Sequence, residues 1–114
     1  MIDRRTKLLL LDMRDNAQLA LSFLGSADVE AVRGDITKLY ALNRAVEIVG
    51  EAASKVDPAQ RTNLTSIPWR PAISMRNLLI HGYDRVKIEY VVDTVRNDFP
   101  ALIAEIERIL NTNA

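Results

Sequence analysis

Four side chains that can do chemistry lie close together, at positions 76–83 of a 114-residue chain. They are Arg76, Asn77, His81 and Tyr83. A guanidinium is a permanent cation that can hold a phosphate through two parallel hydrogen bonds. His81 is the only histidine of the chain, and an imidazole titrates near neutrality without help from its surroundings. These residue types therefore suit phosphate binding combined with proton transfer.

The spacing of these residues decides which of them can meet. Gly82 is expected to end the helix that contains Arg76, Asn77 and His81. Successive residues of an α-helix are rotated by about 100°, so Asn77 and His81 lie almost in line, whereas Arg76 and His81 diverge by about 140°. A groove shared with a second helix or a second subunit would let them converge. The alternative is structural: a histidine before a glycine bonds the last helical carbonyls, and an arginine on a helix is usually solvated.

The composition narrows the chemistry further. Lys+Arg and Asp+Glu both number 15, so the formal net charge is zero, which argues against an architectural DNA or ribosome binder. The absence of cysteine excludes disulfides, thiol catalysis and Cys-ligated metals, and a single histidine excludes an all-histidine zinc site within one chain. We therefore predict neither a metal nor a cofactor.

The sequence lacks the pattern of a membrane span or a targeting signal. The longest apolar run near its start, residues 8–11, is far shorter than a membrane-spanning helix. No small-residue cleavage site follows the weakly basic first residues. We expect a cytoplasmic protein with no membrane association.

The elements that must position the four side chains are predicted to be helices. Four glycines and four prolines are too few turn signals for a β-sandwich or barrel, and apolar residues recur at three- and four-residue steps. The main predicted helices span residues 3–24, 35–56, 68–81 and 88–110, with short helical turns within 26–33 and after Pro58. We expect an all-α, up-and-down bundle of these four helices in one domain, residues 1–114. Pro100 should kink the last helix near residues 96–99.

The ends of the predicted helices are marked by particular residue types. Asp3 and Asp35 are expected N-caps, because their carboxylates can accept hydrogen bonds from first-turn amides. Gly25 is expected to end the first helix in the left-handed conformation. The prolines of residues 68–71 fit the first turn of the third helix, where amide donors are unused. We expect Trp69, between these prolines, to anchor the helix in the core rather than to stack on a base.

The second predicted helix has an apolar face and a polar face. The apolar face consists of Ile36, Leu39, Leu42, Val46, Val49, Ala53 and Val56. Gly50 lies mid-helix, where it costs about 1 kcal/mol relative to alanine, and close approach by a neighbouring helix would explain it. Glu47 and Glu51 lie on the polar face. Glu51 either orients Arg76 or His81, or is simply solvated.

Four short blocks occur in the sequence in a recognisable order and spacing. They are residues 50–53 (Gly-Glu-Ala-Ala), 67–70 (Ile-Pro-Trp-Arg), 76–83 with its arginine, histidine and tyrosine, and 99–100 (Phe-Pro). Together they resemble the HepT-like toxins of the HEPN superfamily, whose motif is arginine, four residues, histidine, one residue, tyrosine. The family usually has Leu-Pro in the last block, and phenylalanine fills a similar volume. The resemblance spans most of residues 35–110, and the N-terminal third carries little of it.

The resemblance implies a specific biology. The fold would be the HEPN helical bundle, and the protein a homodimer whose motif helices line a shared cleft. The activity would be that of a metal-independent endoribonuclease, the toxin of a type VII-like HEPN/MNT toxin–antitoxin pair. The partner would be a minimal (MNT-type) nucleotidyltransferase antitoxin that neutralises the toxin by adenylylating Tyr83.

The residues fit a metal-free mechanism in which the 2′-OH of RNA attacks the adjacent phosphate. His81 would transfer a proton as base or acid, and Arg76 would stabilise charge on the phosphoryl oxygens. Asn77 would either bond the phosphate or fix the imidazole tautomer. Two imidazoles would require two chains; alternatively, each site works alone with water or Tyr83 as the second proton carrier.

The remaining polar residues have weaker signals. The Tyr83 phenol contacts RNA, accepts the adenylyl group, or packs beside the end of the helix. The basic residues that flank the motif, Arg70, Arg85 and Lys87, are candidates for binding RNA phosphates, although Asp84 and Glu89 among them make the charge mixed. The main alternative function is a non-catalytic HEPN module that binds a nucleotide or a protein partner. A plain helical scaffold ranks last.

Overall fold

The computed structural model describes residues 2–81 and 87–113, with only the backbone described at His81. Over these residues the fold is all-α and has no strand, as predicted. The elements in chain order are α1 (Arg4–Leu24), α2 (Val29–Arg33), α3 (Ile36–Lys55), α4 (Pro58–Asn63), α5 (Trp69–His81), α6 (Ile88–Asp93), a π-helical segment (Thr94–Asp98) and α7 (Phe99–Thr112). None of these helices is both long and apolar enough to cross a membrane.

Aspartates begin four of the helices. Asp3, Asp28, Asp35 and Asp57 each accept a hydrogen bond from a backbone amide of the first turn. The hydrogen bond from the amide of Thr6 is 2.7 Å long and lowers the pKa of the Asp3 carboxyl. Gly25 ends α1 at a φ of 54°, in the left-handed region that favours glycine. The predicted bounds of the four main helices are confirmed to within two residues.

The core forms where α1, α3 and the last helical run pack together. Its buried side chains include Leu10, Met13, Ala17, Leu42, Val46, Val49, Val95, Phe99, Leu102 and Ile106. Ile36, which the sequence places on the apolar face of α3, lies outside the core and is 65% exposed. Ile36 is the first residue of α3, and the apolar face becomes half-buried at Leu39 and fully buried only at Leu42. The first turn of α3 therefore projects beyond the packed helices.

The last helical run departs from α-helical geometry just before Pro100, where the sequence predicts an interruption. It passes from α6 through the π-helical segment into α7. Proline has no amide hydrogen and its ring clashes with the carbonyl four residues back, so ordinary α-helical bonding cannot continue across it. A wider π turn accommodates this conflict. A bend of the helix axis at Pro100 stays a prediction.

The start of α5 is fixed on two sides. The Trp69 indole is half-buried against the core, and its Nε1–H donates to the carbonyl of Leu64 over 2.9 Å, so the predicted anchor is confirmed. Ser66, just before α5, donates its hydroxyl hydrogen bond to Glu105 of α7. Hydrogen bonds from Arg108 and Ser66 lower the pKa of Glu105 to about 2. These contacts fix the position at which α5, the helix with the motif, begins.

Candidate active site

Helix α5 lies in close contact with α3 at Gly50. A Cβ placed on Gly50 would lie 2.3 Å from the Cβ of Arg76 and 2.5 Å from the carbonyl oxygen of Ala72. Only glycine leaves room for that approach, so the neighbour expected at Gly50 is the helix that carries Arg76. The contact fixes the base of the Arg76 side chain against α3.

The two helices run in opposite directions from this contact. Gly50 meets Ala72 and Arg76, whereas Leu79, farther along α5, lines a cleft with Tyr40 and Asn43, which come earlier in α3. The C-terminal end of α5 therefore advances along α3 towards its N-terminal half. This arrangement places polar residues of α3 beside the C-terminal half of the motif helix.

The guanidinium of Arg76 turns towards Asn77. Its Nη1–H donates to the Asn77 side-chain oxygen over 2.9 Å. The spacing alone sets Arg76 about 140° away from His81, but Asn77 is in line with His81 on the helix. The hydrogen bond thus brings the guanidinium to the side of the helix on which Asn77 and His81 lie.

Arg76 keeps hydrogen-bonding capacity for a ligand. The residue is half-buried, and its Nε is shielded from solvent without a hydrogen-bond partner in the described part of the chain. Among the described residues no carboxylate forms an ion pair with it. A half-buried cation without a described counter-charge attracts an anion more strongly than a fully solvated one, because less water screens the interaction. The arrangement can therefore hold a phosphate group beside Asn77.

Two of the predicted site residues cannot be placed in full. His81 is the last residue of α5, and its side chain lies outside the described part of the structure. Tyr83 lies outside the described residues altogether. The meeting of Arg76 with His81 and the role of Tyr83 therefore stay predictions.

The acidic residues of α3 pair with an arginine of their own helix. Arg44 Nη1 lies 2.8 Å from a Glu47 carboxylate oxygen and 3.7 Å from one of Glu51. Glu51 is half-buried, one position along the chain from the Gly50 contact with Arg76. Among the described residues Glu51 forms its ion pair with Arg44. That Glu51 orients the side chain of Arg76 or His81 stays a prediction.

A cleft of about 310 Å³ adjoins the C-terminal half of α5 and was missed by sequence reasoning. It is lined by Tyr40, Asn43, Arg44, Glu47 and Leu79. The side-chain oxygen of Asn43 is buried there without a hydrogen-bond partner among the described residues. The available signal was the spacing of the polar residues of α3, which recur at three- and four-residue steps and so share one face.

Arg70 lies at the other end of α5 from His81. It is exposed and lines a second cleft, of about 410 Å³, together with Arg61 of α4. The structure thus brings together Arg76 and Asn77, and it places Arg70 in separate surroundings. Within the described residues, no group of three or more His, Cys, Asp or Glu side chains is arranged to hold a metal ion.

Comparisons with known proteins point to one family. Residues 13–109 match the family model described as "Ribonuclease HepT-like". A Methanocaldococcus jannaschii protein named "Putative RNase" is 29% identical over 107 residues, which cover 94% of this chain and 98% of the relative. A Thermococcus cleftensis protein named "Probable ribonuclease HepT" is 31% identical over 98 residues, covering 86% of this chain and 89% of the relative. No solved structure gives a significant match to this chain.

Proposed function

This chain belongs to the HepT-like ribonuclease family, and we propose that it is a metal-independent endoribonuclease, formed by one HEPN domain over residues 1–114. The observation that carries the proposal is the placement of Arg76. Its base is fixed against Gly50, its guanidinium bonds Asn77, and no described carboxylate neutralises it. A cation held in this way, on a helix that ends in His81, suits a phosphodiester substrate.

The proposed reaction is transfer of the RNA phosphate to its own 2′-oxygen. The 2′-oxygen loses a proton and bonds to phosphorus while the bond from phosphorus to the 5′-oxygen breaks and that oxygen takes up a proton. His81 carries one of these proton transfers. Arg76 stabilises the negative charge that grows on the phosphoryl oxygens. The products are a 2′,3′-cyclic phosphate and a 5′-hydroxyl.

Asn77 supports the reaction with its amide NH₂ group. Its side-chain oxygen already accepts a hydrogen bond from Arg76, so the NH₂ group is the part that remains to donate. That group either bonds a phosphate oxygen or holds the His81 imidazole in one tautomer. Asn77 also restrains the Arg76 guanidinium, which lowers the entropy lost when phosphate binds.

The second proton transfer points to a homodimer. Each chain has one histidine, so a reaction that uses an imidazole base and an imidazole acid needs two chains. In a cleft shared by two copies of α5, each protomer would supply one Arg76 and one His81. If each site instead works alone, water or Tyr83 carries the second proton.

Cleavage is expected to persist in excess EDTA, because Arg76 rather than a metal ion stabilises the transition state. The measurement uses purified protein with unmodified Tyr83, a single-stranded RNA and mass analysis of the product ends. The expected ends are cyclic phosphates and 5′-hydroxyls, with the same rate before and after chelation. Loss of cleavage in EDTA and its recovery with Mg²⁺ would contradict the mechanism. RNA that stays intact after long incubation would instead support a non-catalytic binding module.

We further propose that a minimal nucleotidyltransferase antitoxin silences the toxin by adenylylating Tyr83. AMP attached two residues beyond His81 would place a phosphate beside Arg76 and so exclude RNA. Treatment with such an enzyme and ATP is expected to add AMP to the intact mass and to stop RNA cleavage. Tyr83→Phe should stay unmodified, whereas Tyr90→Phe, at a tyrosine that is 60% exposed, should still be modified. AMP on the Tyr83→Phe protein would contradict this assignment.

A further inference from the structure

The cleft between α4 and α5 is rich in groups that recognise a phosphodiester. Its lining includes Arg61, Thr62, Trp69, Arg70 and Ser74, that is, two guanidiniums, two hydroxyls and an indole. No carboxylate is found among the described residues that line it. We refer to it as the arginine cleft. Its composition suits an anion, because its charged groups are all positive.

The two arginines of this cleft have no counter-charge within the described part of the chain. Four arginines elsewhere each pair with a carboxylate: Arg14, Arg33, Arg44 and Arg108. In the part of the chain that the structure describes, neither Arg61 nor Arg70 does so. Arg61 is half-buried, and its Nε is shielded from solvent with no hydrogen-bond partner in residues 2–81 and 87–113. An anion bound here would supply the missing partner for that buried donor.

Trp69 gives the arginine cleft a rigid aromatic wall. Its Nε1–H is already bonded to the carbonyl of Leu64, so the indole is held in one position and its polar atom is occupied. The ring can still offer its surface to a nucleobase, which stacks on aromatic side chains whatever its identity. The sequence analysis favours anchoring over stacking on a base, but the two roles are compatible because they use different parts of the side chain.

One face of α5 connects the arginine cleft to the motif. Arg70, Ser74, Asn77 and His81 follow one another at steps of four, three and four residues. The first and last of these positions differ by only about 20° around the helix and are about 16 Å apart along its axis. Arg70, Ser74 and Asn77 are all exposed. A strand of RNA can therefore follow one solvent-facing line from the arginine cleft to Asn77.

We propose that the arginine cleft binds a phosphodiester of the substrate RNA a few nucleotides from the scissile bond, with the neighbouring base on Trp69. This inference rests on the proposed ribonuclease function, which it deepens by adding a second subsite. Arg61 and Arg70 bind the phosphate, and Ser74 bridges towards Asn77. The enzyme then prefers single-stranded RNA long enough to reach both subsites, and it gains affinity without reading the sequence.

The test compares a long and a short substrate. The double variant Arg61→Gln, Arg70→Gln removes both charges and keeps similar side-chain size. Its kcat/KM for a single-stranded RNA of about twelve nucleotides is expected to fall about tenfold, and the slope of log affinity against log salt to decrease by about 0.7, the contribution of one phosphate contact on a single strand. Its kcat/KM for a dinucleotide with one scissile bond should equal that of the wild type, because a dinucleotide cannot reach the arginine cleft.

A matched control removes the same charge from another surface. Arg4 and Arg5 are exposed residues of the first turn of α1, so Arg4→Gln, Arg5→Gln should leave both substrates unaffected. Arg70→Gln alone changes an exposed side chain, and it keeps the test decisive if Arg61→Gln lowers the melting temperature. If Arg70→Gln and the double variant Arg61→Gln, Arg70→Gln both cleave the long RNA at the wild-type rate, the proposed subsite is wrong. The proposed ribonuclease function would be unaffected by that result. A wild-type protein that neither binds nor cleaves RNA would overturn both.

Discussion

Replacing His81 by alanine is expected to lower kcat/KM for RNA by about 10²–10⁴-fold, the range typical of losing a general acid or base. The chain has no other histidine, so no second imidazole of the same protomer can take over the proton transfer. Arg76→Lys should cause a smaller loss, because it keeps the charge but not the two-pronged grip on phosphate. Single-turnover cleavage with enzyme in excess measures both effects.

The control for these variants is their binding of RNA. His81→Ala should keep most of its affinity for a non-cleavable RNA that has 2′-O-methyl groups, whereas Arg76→Ala should lose affinity, because Arg76 contacts the phosphate in the bound substrate as well. Circular dichroism melting curves would check that each variant is folded. A His81→Ala protein that cleaves RNA as fast as the wild type would remove the imidazole from the mechanism.

Mixed protomers would show whether the two imidazoles act together. If each site uses His81 from both chains, exchange of wild-type protein with excess His81→Ala protein should lower activity as the square of the wild-type fraction. If each site works alone, activity should follow that fraction linearly. The comparison uses the same protein concentrations and therefore isolates the contribution of the partner protomer.

Gly50→Ala is expected to have the largest effect on stability. The new Cβ would clash with the Arg76 Cβ at 2.3 Å and with the Ala72 carbonyl oxygen at 2.5 Å. Neither atom can rotate away, so α3 and α5 must separate, at a cost near the upper end of the usual range for overpacking, about 3 kcal/mol. Alanine is the better helix former by about 1 kcal/mol. The net loss in the free energy of unfolding should be about 2 kcal/mol, measured by urea denaturation.

Gly34→Ala is the matched control for this prediction. A Cβ at Gly34 would lie 3.6 Å from its nearest neighbour, the carbonyl oxygen of Glu30, which is ordinary contact, and the φ of −84° suits any residue. That variant should be neutral or slightly stabilised, by up to about 1 kcal/mol, because alanine restricts the unfolded chain. Equal stability of the two variants would show that α3 and α5 do not depend on the close approach at Gly50.

Gly50→Ala should also impair RNA cleavage at temperatures where the protein remains folded. Separating the two helices displaces the base of Arg76, and misplacement of a catalytic group by about 1 Å can cost 10²-fold in rate. Among the described residues a Cβ at Gly34 would meet only carbonyl oxygens of α2, so Gly34→Ala should keep the wild-type rate. A folded Gly50→Ala protein with full activity would show that the position of Arg76 is set by other contacts.

The helices were predictable because their signals are local. Asp3, Asp35 and Gly25 act on the backbone within one turn of their own position, so the bounds of α1 and α3 follow from residue type. Ile36 is exposed although it lies on the predicted apolar face, because periodicity identifies the face of a helix and not how far the neighbouring helices extend. Pro100 signalled an interruption, but a sequence pattern cannot distinguish a break from a widened turn.

The candidate site was predictable in its residues but not in its geometry. Gly50 signalled a close approach, yet the identity of the neighbour depends on how α5 folds back on α3. The turn of the Arg76 side chain towards Asn77 depends on its rotamer. Helical spacing alone indicates only that Arg76 and His81 start from different sides of the helix. Arg61 escaped notice because it belongs to a different helix from Arg70. The two arginines line the same cleft only in the folded structure.

The fixed indole of Trp69 also serves as an intrinsic fluorescence probe. It is the only tryptophan of the chain, so the long-wavelength fluorescence of the protein comes from one ring at the start of α5. A base that stacks on this ring will quench its emission, while a ligand confined to the motif will leave the emission unchanged. Occupancy of the arginine cleft can thus be followed in unlabelled protein without interference from a ligand at the motif.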